Sequence, residues 1–415
     1  MANRQSGQIL IIAIIFLSVI LLLIAGLSAY ILQNVRAGRV AMASEQALML
    51  ADAGIDKAVW QLNQTGGSYS GETGTVLGSG TFNVAVANIS SSVKEVTVTA
   101  YIPNSTAPTA TKQEKVRVTI DTTTVSFSYG VQVGEGGLSM GNSSQVTGNV
   151  YANGQINGST GATVTGDAIS AGSAGRIQRV VVGGMAYART VNDSQVTGEL
   201  RCQLGSGNNK PCVTTYPDPS TEAFPISDQQ ITDWKNEAAA GGTISGDYSL
   251  GIGQSASLGP KKINGDLIMD KEATLTLTGR LWVTGKIDID KDATIRLDPS
   301  YGDISEVFIV DEVIDLSKEV NFQRAGANSY ILAVSLDSGG DAVSISKSAD
   351  ALIVYAPNGT VSVQKTVTLR EVTAYGLSLA QDCTVIYESG LASVNFSSGP
   401  GGSWVIQRGT WRITD

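Results

Sequence analysis

The segment KIDIDKD sets Asp288, Asp290 and Asp292 at alternate positions, and Asp270 and Glu272 occupy matching positions twenty residues earlier. Read as a strand, this alternation puts the three aspartates on one face. Carboxylates so placed could act as an acid and base on a glycosidic bond, or hold a calcium ion through their oxygens. The simpler reading is a solvated face between inward Ile287, Ile289 and Ala293, with Lys271 and Lys291 balancing the charge. The chain has no histidine, which removes Ser-His-Asp and Cys-His catalysis and any His-ligated metal. Cys202 and Cys212 stand ten apart in RCQLGSGNNKPC, where they could close a small disulfide loop in an exported chain or remain two thiols. Cys383, in LAQDCTVIYE, falls at an apolar strand position and reads as a buried small hydrophobe. GSGNNKPC lacks the GK[ST] ending of a phosphate loop and reads as a turn. No catalytic residue and no cofactor site is expected.

A net charge of -9 without clustered Lys or Arg argues against nucleic acid as a partner. The 47 glycines and only 16% charged residues describe a chain rich in strands and turns.

Two elements stand at the amino terminus. Ile9 to Leu32 is uncharged throughout; as a helix these residues reach roughly 36 Å, enough to cross a hydrocarbon layer of about 30 Å. The segment VAMASEQALMLADAGIDKAVWQLN then sets Leu48, Ala51, Ile55, Ala58, Val59 and Leu62 at steps of three and four, one face of a continuing helix that ends near residue 63. The stretches FNVAVANI, VKEVTVTAYI and EKVRVTIDT read as three antiparallel strands laid on that stripe, a small α+β unit over 64–125.

A short basic leader ending in Gly7, the run LIIAIIFLSVILLL and the helical EQALMLADAGIDKA together resemble the amino-terminal region of type IV pilin-like proteins, in particular minor pilins of the PilX type. The resemblance spans roughly residues 4–63. It implies a leader, 1–7, cut after Gly7 by a prepilin peptidase to leave Gln8 as the new terminus. It also implies a helix, 8–63, that sits in the inner membrane and then packs against other pilin subunits, with the bulk of the chain extracytoplasmic on a pilus or cell surface. Major pilins carry Glu at the fifth mature position; here that residue is Ile12, which points to a minor subunit.

Beyond residue 126 the chain repeats. INGDLIMDKEATLTL from Ile263 aligns without gaps on VTGKIDIDKDATIRL from Val283, ISGDYSLGIGQSASL from Ile244 is a weaker copy, and the tetrads TGNV, TGDA and TGEL occur upstream. A period near 20 with Gly at corners is the pattern of a right-handed parallel β-helix, expected over 126–415 with an insertion at about 200–242 that contains the helix-like DQQITDWKNEAAA. Trp404 and Trp411 are expected to cap its open end. The fold class is therefore mainly β with one long amino-terminal helix, and the expected role is a non-enzymatic minor pilin-like subunit for pilus assembly, tip priming or adhesion. Two alternatives stand beside it: a membrane-anchored protein that binds or cleaves a surface polysaccharide, and a bactofilin-like polymer of end-to-end β-helices.

Overall fold

The computed structural model describes residues 6–65, 69–89, 93–120, 122–349, 351–397 and 404–414. The chain is mostly β, with parallel sheets and one long amino-terminal helix. That helix, α1 (Ser6–Gln64), runs unbroken for 59 residues. Its first half is apolar on every side; its second half buries Ala43, Ala47, Leu50, Ala51, Ile55, Ala58 and Leu62. This stripe is turned slightly from the expected one, since Leu48 is only half-buried.

Four antiparallel strands cover the stripe in the order β1 (Gly71–Leu77), β2 (Gly80–Asn88), β3 (Val93–Ile102) and β4 (Ala110–Ile120). The Gly/Thr-rich GETGTVL is not among the three expected strands, and it forms β1 as an edge strand paired on one side with β2. In β3 buried and half-buried residues alternate, so one face meets α1. A side chain at Gly54 would put its Cβ 2.6 Å from Val98 Cγ1 and 3.1 Å from the Phe82 ring. The glycine in LADAGIDKA therefore sets how closely helix and sheet approach.

The remaining strands stack in parallel levels. From one end the levels run through Thr243–Ser245, Lys261–Asn264, Leu281–Val283, Glu306–Val310, Ile331–Ser335, Leu352–Val363 and Glu371–Leu379. Glu371–Leu379 then pairs with Val131–Met140, and the levels continue through Val150–Ala152, Ala168–Ser170, Ala186–Ala188 and Leu200–Arg201. The chain thus joins the stack in its middle and builds outward to one end. It returns along the side through 207–242, restarts at the far end, and closes back on its own first level. The expected boundaries need correcting at two places. Residues Leu200–Ser206 belong to the stack, so the excursion starts after them. Trp404–Ile406 and Arg412–Thr414 pair with β4, so the carboxy terminus completes the small sheet and caps nothing.

The repeat has a mechanical basis. Ile263 lies opposite Val283 and Leu267 opposite Ile287, the register of the 20-residue alignment. Asp247 Oδ1 accepts the backbone N–H of Asp266, and Asp266 Oδ1 accepts that of Lys286, so the Asp of each Gly-Asp step ties one level to the next. Asn149 and Asp167 do the same for Asp167 and Met185. Apolar side chains of all the ladders converge on one buried cluster.

Where Glu306–Val310, Ile331–Ser335 and Leu352–Val363 lie side by side, the alternation vanishes because both faces are covered. Phe308, Leu352 and Val354 face inward, while Val307, Ile309, Leu332, Val334, Ile353 and Tyr355 meet α2 (Asp228–Ala240), Phe127 and the outgoing strand Val394–Ser397. That outgoing strand pairs antiparallel with β5 (Thr122–Val125), so the chain enters and leaves the stack side by side.

Candidate functional site

The exposed half of α1 is the largest feature that the fold leaves without a partner. Leu10, Phe16, Leu22, Leu23 and Leu27 are all at least 60% exposed, and the most apolar window of α1 buries nothing. The helix is long and apolar enough to cross a membrane. Gly7 and Gln8 lie in its first turn; residues 1–5 of the expected leader fall outside the described residues. Ile12 is 54% exposed, an apolar side chain among apolar side chains.

The other half of α1 is clamped. Asn63, near its end, accepts the backbone N–H of Trp404 at 2.6 Å and donates to the Trp404 carbonyl at 3.2 Å. Trp404 is buried over α1 and the Lys94 ammonium lies 5.2 Å from its ring, an interaction a desolvated cation strengthens. Lys94 also donates to Asn88 Oδ1, and burial pushes its pKa down. Glu114 on β4 is buried. Burial, then the facing Asp52 of α1, push its pKa up to about 7, against a weaker opposing contact with Trp411.

The three aspartates are not brought together as one face. Asp288 lies in the short strand Ile287–Ile289 and faces Lys318 at 3.4 Å, whereas Asp290 and Asp292 sit in the turn that follows. Asp290 Oδ1 accepts the N–H of Lys291, and Asp292 has φ of 61°. Glu272 and Glu319 repeat this left-handed corner on the adjoining levels, linked by backbone hydrogen bonds, so these acids mark turn geometry. Among the described residues, no group of three acidic, Cys or His side chains is gathered for a metal ion. A surface groove of about 440 Å³ beside Asn142, Thr160, Arg179, Asp193 and Gln195 has Asp193 as its one carboxylate and no aromatic ring. That lining lacks the pair of carboxylates that glycoside hydrolysis uses.

Sequence reasoning misses two polar constructions. At the 200–206 end Cys202 and Cys212 are joined, and the GSGNNKPC turn folds over the last level. Asn208 accepts the Ser194 N–H and donates to the Val191 carbonyl, Asn209 does the same for both backbone groups of Val196, and Lys210 donates to the carbonyls of Thr197 and Gly198. These side chains, with the backbone N–H groups of Asn209 and Val213, stand in for part of a further level. The clue was the run of two amides and a lysine, the donors and acceptors that a terminal sheet edge lacks.

The second construction ties the stack to its neighbours. Glu306, fully buried, accepts from Tyr301 Oη at 2.8 Å, Ser397 Oγ at 2.5 Å and the Val307 N–H. Arg280, 1% exposed, has its Nε 3.4 Å from Glu306, ion-pairs Glu237 of α2 and lies under the Trp234 ring. The outgoing strand, α2 and two levels of the stack share this one network. Three levels further along, Glu371 is buried with Thr373 as donor, and desolvation holds its pKa well above the carboxylate range.

No protein-family model matches the chain, and no curated protein sequence matches it. Among solved structures it is similar to the crystal structure of the competence-associated pilin ComZ from Thermus thermophilus, with 11% identity, 90% of this chain and 97% of that chain covered, and a TM-score of 0.25.

Proposed function

We propose that the chain is a minor type IV pilin-like subunit of the PilX type. In this reading α1 anchors it in the inner membrane after a prepilin peptidase cuts behind Gly7, and α1 then enters a filament core beside other pilin subunits. The parallel stack, read as a right-handed β-helix, is displayed outside the cell for pilus assembly, tip priming or adhesion. The observation that carries the proposal is the division of α1: one half is held by a sheet and the other is apolar on all sides and, among the described residues, has nothing packed against it. Each large aliphatic side chain moved out of water there is worth about 1.5–3 kcal/mol, so the bare half drives association with lipid first and with like helices next. Ile12 carries no charge that must be paired in a filament core, which removes a desolvation cost of several kcal/mol along with the specificity such a pair gives.

The test is the mass of the amino terminus of protein recovered from cells with and without a co-expressed prepilin peptidase. A product beginning at Gln8, formed only with the peptidase, supports the reading. An intact Met1 or Ala2 start, or a cut beyond residue 30, refutes it.

A further inference from the structure

The two ends of the stack are unequal. At one end Asn208, Asn209 and Lys210 occupy hydrogen-bonding groups of residues 191–198 and Val213 pairs with Arg201, beside the Cys202–Cys212 bridge. At the other end the strands Thr243–Ser245, Tyr248–Leu250 and Ser255–Leu258 each pair only with the level above, and among the described residues nothing pairs with their outer edges. Backbone contacts of this level confirm the direction: Tyr248 N donates to Asp266 O, Gly253 N to Lys271 O, and Leu250 O and Leu258 O accept from Asp270 and Thr278. The helix α2 packs beside Lys261–Asn264 and Leu281–Val283, on the flank of the stack.

Exposed strand edges are ordinarily blunted with Lys, Pro or an inward charge. From residue 243 to 258 the one side chain charged at neutral pH is Asp247, and its Oδ1 is committed to the Asp266 N–H of the next level. The rest of this rim is Thr, Ser, Gly, Gln and apolar. Ile252 is 73% exposed, and Ile244, Tyr248 and Ala256 lie only partly buried at the end of the core.

We propose that this bare end is a self-association surface that pairs with the same end of a second copy about a two-fold axis. The choice of occupant follows from the geometry. At the opposite end the edges of Gln195–Val196 and Leu200–Arg201 are occupied and, among the described residues, only the short strand Leu204–Ser206 is left without a strand neighbour on its outer side, so head-to-tail stacking matches one edge against three. Two identical ends brought face to face run their strands in opposite directions, which is antiparallel pairing, and three edges meet three edges at once. A single extended peptide covers one edge and leaves two bare. The rim carries a single carboxylate, tied to the next level, and so meets its own image with little like-charge repulsion, a condition a densely charged face fails. The association closes at two copies, which argues against the open polymer of end-to-end units.

Site-directed disulfide trapping in the membranes of cells that make the full-length protein tests this. Thr243→Cys, Ser249→Cys, Ser255→Cys and Ser257→Cys each place one new thiol on the rim, while Cys383 is buried and Cys202 and Cys212 are already bonded. Mild oxidation is expected to give a species of twice the monomer mass for at least one rim position. Ser206→Cys, at the capped end, stays monomeric and controls for crowding through α1. Adding Ser249→Lys to the Ser257→Cys variant is expected to abolish the trapped dimer. No dimer at any rim position, equal dimer at Ser206→Cys, or trapping into a species of another mass overturns the proposal, the last in favour of a different protein partner.

Discussion

Replacing Gly285 by alanine puts the new methyl carbon 2.0 Å from Asp266 Oδ1, the atom that accepts the Lys286 N–H at 3.0 Å. The backbone carbon and oxygen of Gly265 stand at 3.0 Å, so the methyl is crowded by backbone as well. The carboxylate must therefore leave and surrender a charge-assisted bond worth about 1.5–3 kcal/mol. Gly285→Ala is expected to cost roughly 2–3 kcal/mol locally, a rise of about thirty- to 150-fold in amide exchange. The assay is hydrogen exchange of the full-length protein in detergent, read on peptides covering Leu267–Met269 and Ile287–Ile289, because a long repeat array opens by segments. Asp266→Ala alone loses the same bond. In that background Gly285→Ala is expected to cost clearly less, since the 2.0 Å obstacle is gone and only the Gly265 backbone at 3.0 Å remains. Gly340→Ala, with no atom within 4 Å of its Cβ, serves as the silent control. Equal cost of Gly285→Ala with and without Asp266 refutes the explanation of the repeated Gly-Asp step.

Three further outcomes are expected. Asn63→Ala removes both hydrogen bonds to the Trp404 backbone and should release the carboxy-terminal strands at a cost of about 2 kcal/mol, seen as faster proteolysis of 404–414 with the stack unchanged. Opening the Cys202–Cys212 loop, whose sequence separation is 10, with Cys202→Ser and Cys212→Ser should cost about 3 kcal/mol and raise exchange in Gln195–Val196 and Leu200–Arg201 while the 243–258 end is unaffected. Glu114 titrates near 7 in the folded sheet against 4.5 as the ordinary value, so the folded state holds its proton longer. The small sheet is then most stable below about 4.5 and loses stability as pH rises towards 7. Thermal melts across that range should slope downward, and Glu114→Gln should flatten them.

Alternation and the Gly-Asp step are local devices, written into each level, and so the sequence by itself determined the pairing of Ile263 with Val283 and of Leu267 with Ile287. It equally determined the long helix, whose apolar and amphipathic halves show in any window of residues, and the α2 segment DQQITDWKNEAAA. Tertiary structure alone decided where the series begins. Val131–Met140 is the first level in sequence and the middle one in space, because its free edge is taken by Glu371–Leu379, more than two hundred residues away. Neither strand carries a mark naming the other; any edge of matching length and face can pair. The same reason moved Trp404 from an expected end cap into the core over α1, and made GSGNNKPC a cap in place of a bare turn. Asp290 and Asp292 were read on a strand and stand in a turn, because stacked left-handed corners interrupt a pattern that alternation alone would continue. Periodicity reports which face of a strand is buried; which surfaces close over one another is settled only when distant segments compete for the same edges.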